Sequence, residues 1–595
     1  MNTFMNNPSA RAITARRVVF CLLSVSSAVF MLWLMHQALS PQLPTALYAA
    51  LMILLGVTLP WMVVGFWNAL IGLLLCQLST EPTASVLPRE MDITDTEPLT
   101  TSTAILLCIR NETPERIERN LETMLKGLAA PGIGEHFHLY VLSDTNDRAI
   151  AAQEQSCFDS MQQRWSDRVA ITYRCRTDNT GYKAGNIADF CSRWGAQHDF
   201  ALTLDVDSFM TSGAILRLVR MMQANPRLGI LQGLVVGLPS TSAFTRLFQY
   251  GMRLGMRSYT MGSAWWQSDC GPYWGHNAVI RLAPFIAHCE LPALTSRDGT
   301  TRHILSHDQV EAVLMRRAGF EVRVFPQEDE SWEENPPTLS EYIRRDLRWC
   351  EGNLQYVHLL SLPGLKLMSR YQLTLAIFMF LGSPAWIAML VLTTLALSFT
   401  TNASDFAQST ASLTLLIFAL LMWYLPKITG ALDVLLRKEE RSRFGGGWRF
   451  GLSFILEMLF SILMTPITWL NHSIFIVGLL LGKKAGWTAQ TRDDHTIGLS
   501  DAIKQFWPHT LLGLVLSGLL LATHPEVLPY ALIFYTGLLL AIPLAVITTQ
   551  PWLGRWMMSR GLLSLPEEIN PPVALAALDL KALNIAQSIR TSRHS

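Results

Sequence analysis

Charge is scarce in this sequence. Only 16% of its 595 residues are Asp, Glu, Lys or Arg, against about 25% in an average soluble domain. The signs nearly cancel, 47 Lys+Arg against 46 Asp+Glu for a net +1. That balance excludes a nucleic-acid partner, which would need a basic face. Cysteine is sparse too: nine residues, seven of them between 100 and 355, fit reduced cytosolic thiols and not an extracellular disulfide scaffold. The shortage of charge is also local. Residues 373–425 hold one charged side chain, Asp405, while 101–355 is charged throughout. This division describes a membrane protein with one large water-soluble domain.

A spanning helix needs about 20 mostly apolar residues, because lipid offers no partner for backbone polar groups. Val18 to Leu39 meets this, preceded by Arg11, Arg16 and Arg17, and a second run follows from Leu47 to Leu78. A signal peptide would have a shorter apolar core ending in small residues. Residues 1–80 therefore read as two retained helices with a basic, cytoplasmic N-terminus, which returns the chain to the cytoplasm. Further apolar runs lie at 373–400, 409–431, 450–482, 507–523 and 527–549. The 450–482 run would be about 48 Å long as one helix, more than the bilayer core. Pro466 sits at its middle. The basic residues Lys483, Lys484 and Arg492, with Arg555, Arg560, Lys581, Arg590 and Arg593 of the tail, favour a hairpin that keeps both stretches inside. That makes about eight helices in all, a membrane region over 370–550 and a cytoplasmic tail over 551–595. Glu457 within the run is expected to face protein or water. The basic stretch at 433–450 reads either as a segment on the membrane surface or as an ordinary cytoplasmic loop.

Between the membrane regions, short apolar runs alternate with helical patterns. Strands are predicted at 104–109, 138–142, 170–174, 201–204 and 229–235, and helices at 114–127, 148–165, 184–194 and 212–224. Such alternation predicts a parallel sheet with helices on both faces, and such sheets bind ligands outside the carboxyl ends of their strands. Four strand ends carry polar clusters: Asn111-Glu112, Asp144, the Lys183-Ala-Gly-Asn186 turn, and Asp205-Val-Asp207. An Asp-x-Asp at a strand end offers hard oxygen ligands to a divalent cation that also binds substrate phosphates.

Together these clusters resemble the nucleotide-sugar-binding half of the family 2 glycosyltransferases. Ser306-His307-Asp308 lies where that family has its catalytic base, and Arg345-Asp-Leu-Arg348-Trp349 resembles the Gln-x-x-Arg-Trp motif of its processive, membrane-embedded members. Tyr273–Arg281, Ile304–Asp308, Leu314–Gly319, Glu333–Pro337, Arg348–Asn353, Phe444-Gly-Gly and Gly486–Arg492 resemble, more narrowly, the glucans biosynthesis glucosyltransferase H family. That family makes the backbone of osmoregulated periplasmic glucans.

The resemblance implies an α/β GT-A (Rossmann-like) cytosolic domain over 95–365, ending in interfacial helices, on a polytopic α-helical membrane domain of the bacterial inner membrane. It implies a processive, inverting transfer from UDP-glucose to a growing β-glucan chain that the protein translocates. Asp308 would be the base. Asp205 and Asp207 would hold Mg²⁺, with Mn²⁺ as the alternative. Asn111, Glu112, Asp144, Lys183, Asp205, Arg345, Arg348 and Trp349 would bind the nucleotide sugar, with Trp487 and Arg492 of a gating-type loop at 483–496. His276, Asn277 and Trp349 would line the acceptor path. Membrane lipids, acyl carrier protein and periplasmic glucan-processing proteins are the partners it suggests.

Two positions depart from the wider family: Arg345 replaces its Gln, and His307 replaces the Glu of Thr-Glu-Asp. Blander readings stand beside these. Asn111 and Glu112 also suit a strand-end turn, Lys183 also suits a pair with Asp178, and Trp265, Trp266 and Trp274 suit either sugar stacking or packing at the membrane. His276, Cys270, His288 and Cys289 lack the pair-plus-pair spacing of a zinc site. Within the class, a cellulose- or curdlan-type synthase or a lipid-carrier transferase is the alternative; outside it, a nucleotide-sensing transporter.

Overall fold

A computed structural model describes residues 10–39, 43–88, 91, 93–295, 301–400, 403–483 and 491–594. Two long helices open the chain, α1 (Ala10–Leu39) and α2 (Thr45–Leu78). The soluble domain then runs β1 (Thr103–Ile109), α3 (Pro114–Leu128), β2 (Phe137–Ser143), α4 (Arg148–Trp165), β3 (Ala170–Cys175), α5 (Tyr182–Arg193), β4 (Phe200–Asp205), β5 (Ser208–Met210), α6 (Ser212–Ala224) and β6 (Leu228–Gly237). Each predicted strand and helix falls within two residues of an observed one. The local causes are plain. Pro114 occupies the first turn of α3, where its missing N–H costs no hydrogen bond. The Asp147 carboxylate accepts from the backbone N–H groups of Ala149 and Ile150 and caps α4.

After β6 come α7 (Ala243–Gln267), β7 (Ala278–Arg281), α8 (Leu282–His288), the short ribbon of β8 (Leu294–Thr295) and β9 (Thr301–Arg302), α9 (Asp308–Arg317), β10 (Glu321–Glu333) and α10 (Leu339–Leu354). The expected all-parallel sheet is corrected here. Strand order is β3-β2-β1-β4-β7-β6-β10-β5, with β7 antiparallel to both neighbours and β5 antiparallel at the edge. The half that stays parallel positions the site. Cys108 lies opposite Asp205, and Ile109 opposite Ser143, so the residues that follow β1, β2 and β4 emerge side by side.

The remainder is helical: α11 (Leu367–Ser398), α12 (Ala403–Gln408), α13 (Thr410–Leu436), α14 (Lys438–Arg443), α15 (Gly447–Leu480), α16 (Leu499–Thr523), α17 (Leu528–Leu539), α18 (Ala541–Ile547), α19 (Pro551–Arg560), α20 (Pro566–Ile569), α21 (Val573–Ala576) and α22 (Lys581–His594). Among the described residues, six helices are long and apolar enough to cross a membrane, and α17 with α18, bent by 52°, would make a seventh. This corrects the expectation of about eight.

It also corrects the hairpin. Residues 447–480 form one helix of 34 residues with Pro466 inside it. Pro466 is seated against α17 at Gly537, where any side chain would meet its ring at 2.6 Å.

Both ends of α15 return to the soluble side. Phe450 packs with Tyr250 of α7, and Arg492, beyond its other end, reaches Asp207. Arg17 at the start of α1 pairs with Asp269, while Glu568 of the tail pairs with Arg246 of α7. The start of α1 and the tail thus both meet α7 or the segment just after it. Glu457 on it is fully buried and pairs with Lys427, facing protein as expected. In the 433–450 stretch, Arg437 pairs with Asp433 and Arg443 with Glu440, while Trp448 is 79% exposed.

Candidate active site

Glu112, Asp205, Asp207 and Glu333 converge at the carboxyl ends of β1, β4 and β10, and basic side chains from three other elements enter among them. Lys183, in the first turn of α5, donates to Asp205 Oδ1 and, at 2.9 Å, to the carbonyl of Gly275. The expected alternative partner, Asp178, instead accepts from Thr180. Burial pushes the Asp205 carboxyl up, but Lys183, with His276 and Arg492, holds it well below the usual carboxylate range. Arg492 lies 3.5 Å from Asp207 Oδ2 and 3.6 Å from Glu112 Oε1. Both distances exceed a direct hydrogen bond. Burial raises Glu112 above its ordinary pKa, against the pull of Arg492. Trp487, expected in the same loop, lies outside the described residues.

Arg345 and Arg348 come from α10. Arg345 sits over the Trp349 ring, 4.8 Å from its centroid. With Asp207, Glu334, Asn335 and Arg492 it lines a cleft of about 270 Å³. Burial and Arg345 lower the Arg348 pKa, and Asp205 and Asp207 oppose them. Trp349 is 45% exposed, and its ring beside the two arginines is suited to contact with a sugar face. Between these residues, Asp346 turns the other way and meets His472 Nε2 of α15 at 2.6 Å.

Asp308 is the first residue of α9. Gly275 abuts it: a Cβ there would lie 3.4 Å from Asp308 Cβ, and its φ of +84° suits only glycine. Burial raises the Asp308 pKa; His307 and the backbone N–H of Gln309 pull it back.

The base-side cluster differs in detail from expectation. Asp144 is 6% exposed and gripped by a residue the motif reading missed. Arg176 Nε and Nη2 donate to its two oxygens at 2.5 and 2.7 Å, and Nη2 also donates to the Tyr182 carbonyl. An Arg directly after β3, one strand beyond the Asp, was the available signal. Asn111 adopts φ of +54°, and its amide is engaged with Asn146 and Asp147 across the two strand ends.

His276 lies 3.5 Å from Glu333 and 3.3 Å from the Ser208 hydroxyl, so it borders the cleft. Asn277 does not, and its place on the acceptor path is corrected: it is fully buried and donates to Ser331 Oγ at 2.8 Å. The tryptophan question is settled for Trp266, which stacks on Phe20 at 4.0 Å and donates to Asn68; it packs at the helix junction and presents no face to a sugar.

Two carboxylates, Asp205 and Asp207, stand where a divalent cation would meet a diphosphate. Among the described residues no group of three His, Cys, Asp or Glu side chains is arranged to hold a metal. Two hard carboxylate donors fit a cation such as Mg²⁺ or Mn²⁺ whose other positions are filled by substrate phosphates and water.

Residues 200–426 match the family model for glycosyl transferase family group 2. A glucans biosynthesis glucosyltransferase H from Pseudomonas fluorescens is 33% identical over 557 residues, 91% of this chain and 65% of that protein. One from Vibrio cholerae is 34% identical over 90% of this chain and 74% of its own length. One from Caulobacter vibrioides is 35% identical over 80% of this chain and 74% of its own. The chain thus spans about two-thirds to three-quarters of these relatives. Among solved structures, the mannosyltransferase PcManGT from Pyrobaculum calidifontis, in complex with GDP-Man and Mn2+, aligns with 66% of this chain at 14% identity and a TM-score of 0.41, too loosely to bear on the site. The relatives' identity and coverage are decisive: this chain belongs to the glucans biosynthesis glucosyltransferase H family.

Proposed function

We propose that this protein is a processive, inverting glucosyltransferase of the bacterial inner membrane, with its soluble domain in the cytoplasm. It takes glucose from UDP-glucose, extends a β-glucan backbone, and passes the chain outward between its own helices. One observation carries the reading. A half-buried carboxylate, Asp308, shares a wall with Gly275, whose carbonyl holds the lysine that grips Asp205. Base and diphosphate site are thereby fixed to each other through a single turn.

The chemistry follows from these positions. Asp144, held by Arg176, would contact the uridine of the donor. Lys183, Arg345 and Arg348 gather around the diphosphate, where Arg suits paired phosphate oxygens. Asp205 and Asp207 would hold Mg²⁺, which when bound neutralises the leaving diphosphate. Asp308 accepts the proton of the acceptor hydroxyl as its oxygen bonds to the anomeric carbon; the bond from that carbon to UDP breaks on the opposite face, and UDP leaves. An α-linked donor thereby gives a β-linked product. Trp349 and His276 border the acceptor side. The growing chain would leave this cleft between the membrane helices.

The test is incubation of purified, reconstituted protein with Mg²⁺ and radiolabelled UDP-glucose. A labelled β-glucan with release of UDP is expected, and linkage analysis separates a periplasmic-glucan backbone from a cellulose- or curdlan-type product. Label transferred to a lipid, or UDP-glucose bound with no turnover under any acceptor, would overturn the reading. Asp308→Asn should keep UDP binding and lose incorporation by roughly 10²–10⁴-fold.

A further inference from the structure

Beside Asp308 the chain carries a charged pair that the nucleotide site does not use. His307 precedes Asp308 and Glu311 follows one turn later, a spacing of four that puts both side chains on one face of the helix. Nδ1 of His307 lies 3.0 Å from Oε1 of Glu311. Both residues are buried, at 8% and 3% exposure, and neither Nδ1 of His307 nor the second oxygen of Glu311 has a partner in hydrogen-bond geometry, so the two meet as an ion pair. A carboxylate so enclosed is costly unless a cation stands beside it. Its surroundings offer few. Tyr273, before β7, faces both Glu311 and Asp308, and so does Tyr356, after α10. Cys191 and Cys289 also face Glu311, and the Cys289 thiol donates to its backbone carbonyl. Lys183 faces His307 and Asp308 but is already bound to Asp205. The basic side chain nearest to Glu311 is therefore His307.

We propose that His307 and Glu311 are positioning residues for the transfer: a buried imidazolium–carboxylate pair whose positive end keeps the adjacent Asp308 ionised and whose tie across the first turn of α9 fixes where the Asp308 carboxylate points. The inference rests on Asp308 acting as the base. It gives a use to the His that replaces the wider family's Glu at this position. A half-buried base beside Gly275 pays a desolvation cost whenever it is charged. A neighbouring cation offsets that cost without touching substrate. Burial pushes the His307 ring down but Glu311 raises it further, and His307 is the foremost group opposing the rise of Asp308, in keeping with the geometry.

The experiment is the pH profile of kcat/KM for glucose incorporation by the full-length reconstituted protein, with UDP binding measured in parallel as the sign of a folded site. H307Q, which keeps size and polarity but no charge, should move the acidic limb to higher pH by about one unit or more, with KM for UDP-glucose within about two-fold. E311Q leaves the ring without its counter-charge and should move the limb the same way. H307K retains a cation and should leave the limb near its original place. An unmoved limb in both H307Q and E311Q overturns the proposal, and so does an H307K profile that matches H307Q. Should H307Q fail to bind UDP, the E311Q limb decides alone: moved supports the pair, unmoved overturns it. Asp308→Asn separates the two levels. Incorporation that survives D308N removes the base reading and this proposal with it. A dead D308N beside an unmoved H307Q limb removes only this proposal.

Discussion

Two groups of charged residues in this molecule are built in opposite ways. In the strand-end cleft Lys183 grips Asp205 closely, but the other pairs are loose: Arg492 stands 3.5 and 3.6 Å from Asp207 and Glu112, and His276 3.5 Å from Glu333. At the junction of α7 with the tail, Arg246 and Arg253 are 0% and 3% exposed. Arg246 donates to Glu568 at 2.5 Å and to the carbonyls of Leu562 and Leu563, and Arg253 donates to both oxygens of Glu567 at 3.0 and 2.9 Å. Loose pairs beyond hydrogen-bond distance can exchange partners when a phosphate arrives. Tight buried pairs can change partners only by unfolding their surroundings. The first arrangement is what a substrate site needs, and the second is what holds a tail in place.

The sharpest way to break this contrast is to change one member of each group. Asp207→Ala should lower glucose incorporation on the order of 10³-fold, as loss of a charge-stabilising group does, and should remove the Mg²⁺ dependence of UDP binding. The thermal midpoint should hardly move, because Asp207 meets its partner loosely; a large drop would show that the cleft pair is structural.

Arg246→Met is expected to do the reverse. Leaving Glu568 buried and alone should destabilise by about 3–5 kcal/mol and expose the chain beyond Gly561 to protease. Adding Glu568→Leu should recover most of that loss, since the unpaired charge is then gone. A double variant as unstable as the single one would mean that the tail is held by packing and backbone hydrogen bonds instead.

The same contrast explains what could be read in advance. The strands on the nucleotide side are local apolar runs, and the residues after them were found because strand ends gather ligand-binding groups. The four residues Ala278–Arg281 carry no such run. They become a strand only by pairing antiparallel with both β4 and β6, contacts made far along the chain. Lys183 was offered Asp178, five residues away, and took Asp205 because β4 lies beside β1. Pro466 suggested a break in 450–482, yet Gly537 lets α17 approach closely enough to seat the ring, and the helix continues. Nothing local in Glu567 or Glu568 points to Arg253 and Arg246, more than 300 positions away. Long-range charge pairing leaves no periodic trace in a sequence.

Arg176 stands between the two groups, a two-pronged grip like the tail's but at the edge of the site. Arg176→Lys should raise KM for UDP-glucose by roughly 10-fold with kcat little changed, because lysine keeps the charge and loses the planar fork. A fall in kcat at unchanged KM would mean that the Asp144 pair acts on the transfer and not on holding the nucleotide.

The smallest effect concerns stability against pH. His307 has its pKa raised above the ordinary 6.5 in the folded protein, so the fold binds that proton more tightly than the unfolded chain. Its contribution is complete below pH 6.5 and is lost as pH rises through the folded value. Asp308, raised above 3.8, declines in the same direction but in a more acidic window. Thermal midpoints of wild type and H307Q measured from pH 6 to 9 should therefore show a gap that is widest at the acidic end and narrows upward. The gap should stay below that produced by Arg246→Met, since His307 meets Glu311 through one contact whereas Arg246 is held by Glu568 and three backbone carbonyls. A gap constant across the range would mean that the imidazole is neutral in the fold.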